Sequence, residues 1–136
     1  MILGTTLYVN NSIEAVELYC KAFNMTVGYN AKNNDGSYLH VELEKNGKSI
    51  FALSESNDDF IRKAMIQTKQ PTISLGISIE NNTELEHAFT ILSEQGHVIR
   101  PLGELPWSPY SADLVDRFGV CWYIYVSQYK PEEKET

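Results

Sequence analysis

The feature that most constrains the fold of this chain is an internal repeat. Residues 7–14 and 77–84 each begin as a β-branched strand, pass through a pair of asparagines and open a run of helical periodicity. Asn11 and Asn81 each stand three residues before a glutamate, as a helix N-cap stands before its capping-box acid. Two such matches at equivalent places predict a duplicated structural unit.

Hydrophobic periodicity extends the repeat to a βαβββ unit in each half. Helices are predicted over about residues 12–24 and 82–95, and Asn46-Gly47 is a strong two-residue hairpin signal. Strands are predicted over residues 25–31, 38–44 and 48–54 in the first half, and over 73–79, 97–102 and 121–127 in the second, where a Pro/Gly-rich stretch separates the last two. The predicted fold class is α+β, with two βαβββ modules forming curved mixed sheets around a cavity.

The same patterns predict one domain over residues 1–136. Its expected parts are module 1 at about 1–54, a polar connector with one short helix at about 55–70, module 2 at about 71–128, and a charged tail at 129–136.

Charge and hydropathy exclude several classes of protein. The net charge is −7 and the basic residues are scattered, which argues against a nucleic-acid binder. No apolar run approaches the roughly 20 residues that span a bilayer, and the N-terminus lacks the pattern of a signal peptide. Two cysteines are too few for a disulfide scaffold. We therefore expect a cytoplasmic protein that binds neither nucleic acid nor membrane.

Alternation along the strands predicts which side chains face the cavity. Leu39, Val41 and Leu43 are expected to pack on a helix, while His40 and Glu42 point to the opposite face. The expected cavity residues are Tyr8, Tyr38, His40, Glu42, Phe51, Trp107, Tyr110, Cys121 and Tyr123. The alternative is that these aromatic side chains fill an interface between two sheets or between two chains.

The paired modules resemble the vicinal oxygen chelate superfamily, which includes glyoxalase I, extradiol dioxygenases and bleomycin-resistance proteins. Within it the chain is most similar to the PhnB-like branch, whose members are described as demethylubiquinone methyltransferase-like domains. Three stretches carry this resemblance: residues 39–43 before Asn46-Gly47, then Pro101-Leu102, then Trp107 followed by residues 116–122, DRFGVCW. The resemblance implies a glyoxalase-like fold.

The resemblance also implies a metal held by one residue on the first and last strand of each module. By register these positions are Gly4, Phe51, Ser74 and Tyr123. Because a zinc, iron or manganese site needs three or four His, Cys or carboxylate donors, the superfamily site is predicted to be absent. His40 and Glu42 are two donors of a conceivable substitute site, but the pattern supplies no third. No metal and no other cofactor are predicted.

The function predicted is a metal-free small-molecule-binding protein. The alternative is an uncharacterised PhnB-like enzyme, a lyase, isomerase or transferase, in which His40 is the acid/base, Glu42 sets its tautomer and Cys121 is a candidate nucleophile. The simpler alternative for His40 is an ordinary hydrogen-bonded strand histidine, and for Cys121 a small buried hydrophobe, since no neighbouring cation lowers its pKa. Methyl transfer is not indicated, because no glycine-rich strand-turn-helix for a methyl donor is present.

Two further expectations concern assembly. Open strand edges and the aromatic last strand predict a homodimer. Trp107 lies between two prolines and is predicted to cover the cavity mouth near His40; its alternative role is an anchor at the dimer interface.

Overall fold

Each half of the chain forms a four-stranded mixed sheet with one helix packed on it. The computed structural model describes residues 1–128. The elements are β1 (Thr6–Val9), α1 (Ser12–Phe23), β2 (Thr26–Lys32), β3 (Tyr38–Lys45), β4 (Lys48–Glu55), α2 (Phe60–Gln67), β5 (Leu75–Ser78), α3 (Asn82–Ser93), β6 (His97–Leu105), β7 (Ser108–Val115) and β8 (Cys121–Tyr125).

The strand order is the same in both halves. It is β1-β4-β3-β2 in the first sheet and β5-β8-β7-β6 in the second. The first and last strands of each half pair in parallel, and the other neighbours are antiparallel. The predicted α+β fold of two βαβββ modules is confirmed, although neither sheet closes on itself among the described residues.

The second half differs from the sequence prediction in its Pro/Gly-rich stretch. Strand β6 runs on to Leu105 and residues 108–115 form β7, so the Pro/Gly-rich stretch is largely a β-hairpin with a tight turn at Pro106-Trp107. Pro101 is tolerated because β6 is an edge strand, and its pairing with β7 is irregular between Arg100 and Gly103. The connector holds the short helix α2. The predicted charged tail at 129–136 lies outside the described residues.

The two helix starts are related but not identical. The Oδ1 atoms of Asn11 and Asn81 accept hydrogen bonds from the backbone N–H groups of Glu14, at 3.3 Å, and Glu84, at 2.9 Å. At Asn11 the backbone is left-handed, with φ 70°, whereas Asn81 is extended. The carboxylate of Glu55 accepts the backbone N–H groups of Asn11 and its neighbour Ser12. These contacts satisfy donors that a helix N-terminus would otherwise leave unpaired.

One aromatic core joins the two modules. Tyr19 of α1, fully buried, makes an edge contact with Phe51 of β4 at 5.7 Å and with Trp122 of β8 at 5.6 Å between ring centroids. Phe51 and Trp122 also contact each other at 5.5 Å. Because aromatic side chains bury large apolar areas, this cluster stabilises the contact between the modules as well as each sheet.

A buried carboxylate completes that core. Oδ2 of Asp116 accepts hydrogen bonds from the Tyr19 hydroxyl, at 2.6 Å, and from Nε1 of Trp122, at 2.8 Å. Its Oδ1 accepts the backbone N–H groups of Phe118 and Val120. Burial raises the pKa of Asp116, while these hydrogen bonds act in the opposite direction. Asp116 therefore ties helix α1 to the second module.

Candidate functional site

The first sheet presents a polar and aromatic face on the side away from α1, which we call the first open face. It is built by alternation: Leu7 and Val9 of β1 are buried, and Tyr8 between them is 72% exposed. Cross-strand register places Glu42 opposite Ala52 and His40 opposite Ala31. Its functional side chains are Tyr8, Tyr29, His40 and Glu42.

His40 and Glu42 form a hydrogen-bonded pair on this face. Nε2 of His40 and Oε2 of Glu42 are 3.0 Å apart, and about a third of each side chain is exposed, at 36% and 32%. The ring of Tyr29 lies 6.0 Å from the imidazole, centroid to centroid. When Nε2 is protonated and donates a hydrogen bond to the carboxylate, Nδ1 carries a free lone pair. It can then accept a hydrogen bond from a ligand or a proton from a substrate.

A β-bulge changes the face of two residues of β3. His40 pairs with Ala31 but Tyr38 pairs with Lys32, so Leu39 is the extra residue. Leu39 is 59% exposed and Tyr38 packs against the core. The expectations that Leu39 packs on the helix and that Tyr38 shares the face of His40 are therefore wrong.

The second sheet has its own polar face, the second open face. Tyr123 and Tyr125 stack there at 4.9 Å. Nε of Arg100 donates to Asp113 at 2.7 Å, and a terminal nitrogen of Arg100 donates to the hydroxyl of Ser111 at 2.8 Å. Arg100, Asp113 and Tyr123 lie directly opposite one another across three strands and so share this face.

A cleft of about 220 Å³ lies between the modules. Leu3, Thr5, Ile50, Phe51, Ser74, Leu75, Gly76, Ile77 and Trp122 line it. Three of the four positions that correspond to the superfamily's metal ligands lie at this cleft, since Phe51 and Ser74 line it and Gly4 lies between Leu3 and Thr5 in the sequence, whereas Tyr123 lies on the second open face. A phenyl ring, a glycine and a serine hydroxyl do not fit a transition-metal site, because none of them is a strong donor near neutral pH.

Within residues 1–128, no three His, Cys, Asp or Glu side chains are grouped so that they could hold a metal ion. His40 and Glu42 have no third donor of these types beside them. The described residues therefore do not supply the three or four strong donors that a transition-metal site needs.

The structure places the other sequence-predicted residues apart from His40. Phe51 points to the helix side, where it contacts Tyr19, although it also lines the cleft. Tyr110 reaches helix α3, and its hydroxyl donates to Glu86 at 2.9 Å. Trp107, 47% exposed, lies in the β6–β7 turn of the second sheet. Trp107 thus belongs to the second sheet and His40 to the first, and the expected position of Trp107 over the cavity mouth near His40 stays a prediction.

Cys121 begins β8 and is buried. The pKa of its thiol is raised to about 11, mainly because the side chain is buried and to a smaller extent because the carboxylate of Asp116 lies nearby. The thiol is therefore protonated at neutral pH, which is the opposite of what a cysteine nucleophile requires.

Sequence reasoning missed three residues of the open faces. Tyr29 lies in a predicted strand, but its approach to His40 depends on the irregular register of β2 and β3. Alternation along the last strand places Tyr125 on the face of Tyr123, but Tyr125 is not among the expected cavity residues. Arg100 gives no local signal, because its partner Asp113 lies on another strand.

Comparisons with known proteins agree with this architecture. A family model described as 3-demethylubiquinone-9 3-methyltransferase matches residues 1–125. A PhnB protein from Bacillus cereus is 24% identical with a TM-score of 0.73, over 93% of this chain and 100% of that chain. A glyoxylase/bleomycin resistance protein/dioxygenase domain from Frankia is 15% identical with a TM-score of 0.66, over 93% and 97%. No curated protein matches the sequence.

A further similar structure is the fosfomycin resistance protein FosX from Listeria monocytogenes, solved with Mn(II) and a dihydroxypropylphosphonic acid. It is 12% identical with a TM-score of 0.65, over 100% of this chain and 98% of that chain. These neighbours and the two βαβββ modules define the class as the vicinal oxygen chelate fold. More particularly, the chain belongs to the 3-demethylubiquinone-9 3-methyltransferase family, the PhnB-like branch of that superfamily.

No helix among residues 1–128 combines the length and the apolar character needed to cross a membrane.

Proposed function

We propose that this chain is a metal-free small-molecule-binding protein whose ligand lies against the first open face. The observation that carries the proposal is that two exposed tyrosines stand on the same face as a hydrogen-bonded histidine–glutamate pair. Tyr8 is 72% exposed and Tyr29 is 67% exposed, although both rings have large apolar surfaces. An aromatic face with a few polar groups is typical of a ligand site.

The side chains of this face favour a flat ligand that is aromatic or cationic. Tyrosine rings stack on flat molecules and attract cations through their π faces. Glu42 adds a carboxylate, and the net charge of the chain is −7. The binding of a cation would therefore be stabilised both by the carboxylate of Glu42 and by the negative electrostatic potential of the whole molecule.

A second copy of the chain would complete the site. Tyr8 and Tyr29 on the first open face are exposed, and the edge strands β1, β2, β5 and β6 each pair on one side only among residues 1–128. A homodimer that places an open face of one copy over an open face of the other would enclose the ligand. In such a dimer, Tyr123 or Tyr125 of one copy would lie close to the ligand that the other copy binds.

The metal-free part of the proposal rests on donor chemistry at the cleft. Elemental analysis of untagged protein is expected to find far less than one zinc, nickel, iron or manganese ion per chain. A content close to one ion per chain would contradict this, and His40→Ala and Glu42→Ala would then show whether those side chains hold the ion.

The second candidate function is an enzyme, and the 3.0 Å contact between His40 and Glu42 favours it. In that case His40 would move a proton to or from the substrate while Glu42 holds the imidazole. Methyl transfer is not part of either proposal. The turns that lead into α1 and α3 contain Asn10-Asn11 and Glu80-Asn81, without the glycines that a strand-turn-helix methyl-donor site uses.

The test uses ethidium, a flat fluorescent cation, together with native mass spectrometry of protein purified without added ligand. Ethidium fluorescence is expected to rise and saturate, and Tyr8→Ala and Tyr29→Ala should each weaken the affinity by about fivefold, the loss of one aromatic contact. Tyr110→Phe is the matched control, because its ring lies on the helix side. Equal affinity in all three variants would refute the binding face.

The same variants separate the two functions. A co-purified mass adduct that Tyr8→Ala or Tyr29→Ala removes supports the binding protein. If that adduct is a substrate, His40→Gln should leave its affinity within about twofold and abolish turnover. Turnover that survives His40→Gln unchanged would refute His40 as the acid/base, and the absence of turnover in the parent protein would refute the enzyme.

A further inference from the structure

A second cavity of about 350 Å³ lies between the two modules, outside both open faces. It is bounded by the end of α1, the β3–β4 hairpin, the end of β5 and the first turns of α3. Its volume is that of a small-ligand pocket. Its apolar lining is formed by Phe23, Met25, Ile50, Ile77 and Ile79.

The charged groups around this cavity are not equivalent. The ammonium of Lys45 donates to the carbonyl oxygens of Phe23, at 2.8 Å, and Asn24, at 3.3 Å. Nε2 of His87 lies 3.0 Å from the carbonyl oxygen of Lys21. Both basic side chains are therefore held against the carboxyl end of α1, where backbone carbonyls concentrate negative charge.

The acidic groups have no such partners. Glu80 and Glu84 both line the cavity and are exposed. Neither carboxylate takes part in an ion pair or a side-chain hydrogen bond within residues 1–128. An apolar pocket with two unengaged carboxylates complements a ligand that has an apolar body and a positive end.

We propose that this cavity is a second binding site, for a small primary amine with an aromatic or branched alkyl body. The body contacts Met25, Ile77 and Ile79, and the ammonium lies between the carboxylates of Glu80 and Glu84. The Lys45 ammonium is engaged by the carbonyl oxygens at the end of α1 and leaves the carboxylates of Glu80 and Glu84 without a basic partner among residues 1–128. An anionic ligand would meet two carboxylates and no unengaged cation among the described lining residues.

The test compares 2-phenylethylamine, which is a cation at pH 7, with 2-phenylethanol, which has a similar shape and no charge. Methyl-detected NMR follows Met25, Ile77 and Ile79. The amine is expected to give saturable shifts at these methyl groups and to bind at least about fivefold more tightly than the alcohol. The double variant Glu80→Gln/Glu84→Gln should remove that preference, so that both compounds bind with the weak affinity of the alcohol.

Two controls make the result specific. Glu17→Gln removes one negative charge from an exposed position on α1 and should leave the preference for the amine unchanged. Tyr29→Ala alters the first open face and should leave the shifts at Met25 unchanged, which separates this site from the one proposed above. No shift at the three methyl groups with millimolar amine, or an equal preference in the double variant, would overturn the proposal.

Discussion

Asp116 is a single residue on which contacts from both modules converge. It accepts four hydrogen bonds, two of them from the side chains of Tyr19 and Trp122. In Asp116→Asn the new NH₂ group would face N–H or O–H donors, and the charge that strengthens the four bonds would be lost. We expect this variant to lower the free energy of unfolding by about 3 kcal/mol, measured by urea denaturation.

Glu17→Gln is the control for that measurement, because it neutralises an exposed carboxylate on the wet side of α1. It should change the free energy of unfolding by less than about 0.5 kcal/mol. A loss below about 1 kcal/mol in Asp116→Asn would mean that the buried carboxylate is not needed to hold the modules together.

A second prediction at the scale of one residue concerns the reactivity of the Cys121 thiol. Its pKa of about 11 lies above the usual 9.0, because burial disfavours the thiolate and the charge of Asp116 adds to this. Below pH 9 the thiol is therefore protonated almost entirely. Iodoacetamide should modify Cys121 in the Cys20→Ser variant at pH 8 about a hundredfold more slowly than a free peptide thiol. In urea the rate should rise to the peptide value, and a native rate already equal to it would contradict the prediction.

The two helix caps allow a comparison between equivalent elements. Asn81→Ala removes one cap in an extended backbone and should cost about 1 kcal/mol. Asn11→Ala removes the same cap where φ is 70°, a conformation that alanine adopts at an added cost, so we expect about 2 kcal/mol.

Asn11→Gly distinguishes the two contributions at the first helix. Glycine tolerates the positive φ but supplies no side-chain acceptor, so this variant should be more stable than Asn11→Ala in urea denaturation. If Asn11→Ala and Asn81→Ala lose equal stability, the left-handed backbone at Asn11 carries no cost.

Among residues 1–128 the two sheets have four edge strands, β1, β2, β5 and β6, each of which pairs with a neighbouring strand on one side only. Pairing with a second copy would cover exposed aromatic surface at Tyr8, Tyr29 and Trp107. The net charge of −7 opposes association, but physiological salt screens such charges beyond about 8 Å. Light scattering at micromolar concentration is expected to give twice the chain mass of 15.4 kDa. A mass equal to one chain would refute the homodimer.

The repeat shows how much of the fold is encoded locally. The Asn–Glu caps, the 3.6-residue periodicity of α1 and α3 and the Asn46-Gly47 turn are interactions among residues close in sequence, so they can be read without the fold. They were sufficient to predict both helices within two residues of their ends and the α+β fold of two equivalent modules. The same local reading correctly placed His40 and Glu42 together, because they are two residues apart on one strand.

Which other residues lie together depends on the tertiary structure. One extra residue in β3 separates Tyr38 from the face of His40, and the edge position of β6 lets a proline-containing stretch form a strand. Tyr19 and Asp116 are 97 residues apart, and Glu84 joins Met25 in one cavity only because the two modules pack together. Strand register and packing between modules are sums of many distant contacts, and no local pattern contains them. The sequence by itself determined what the two modules are, whereas strand register within each sheet and packing between the modules decided which side chains meet to form a site.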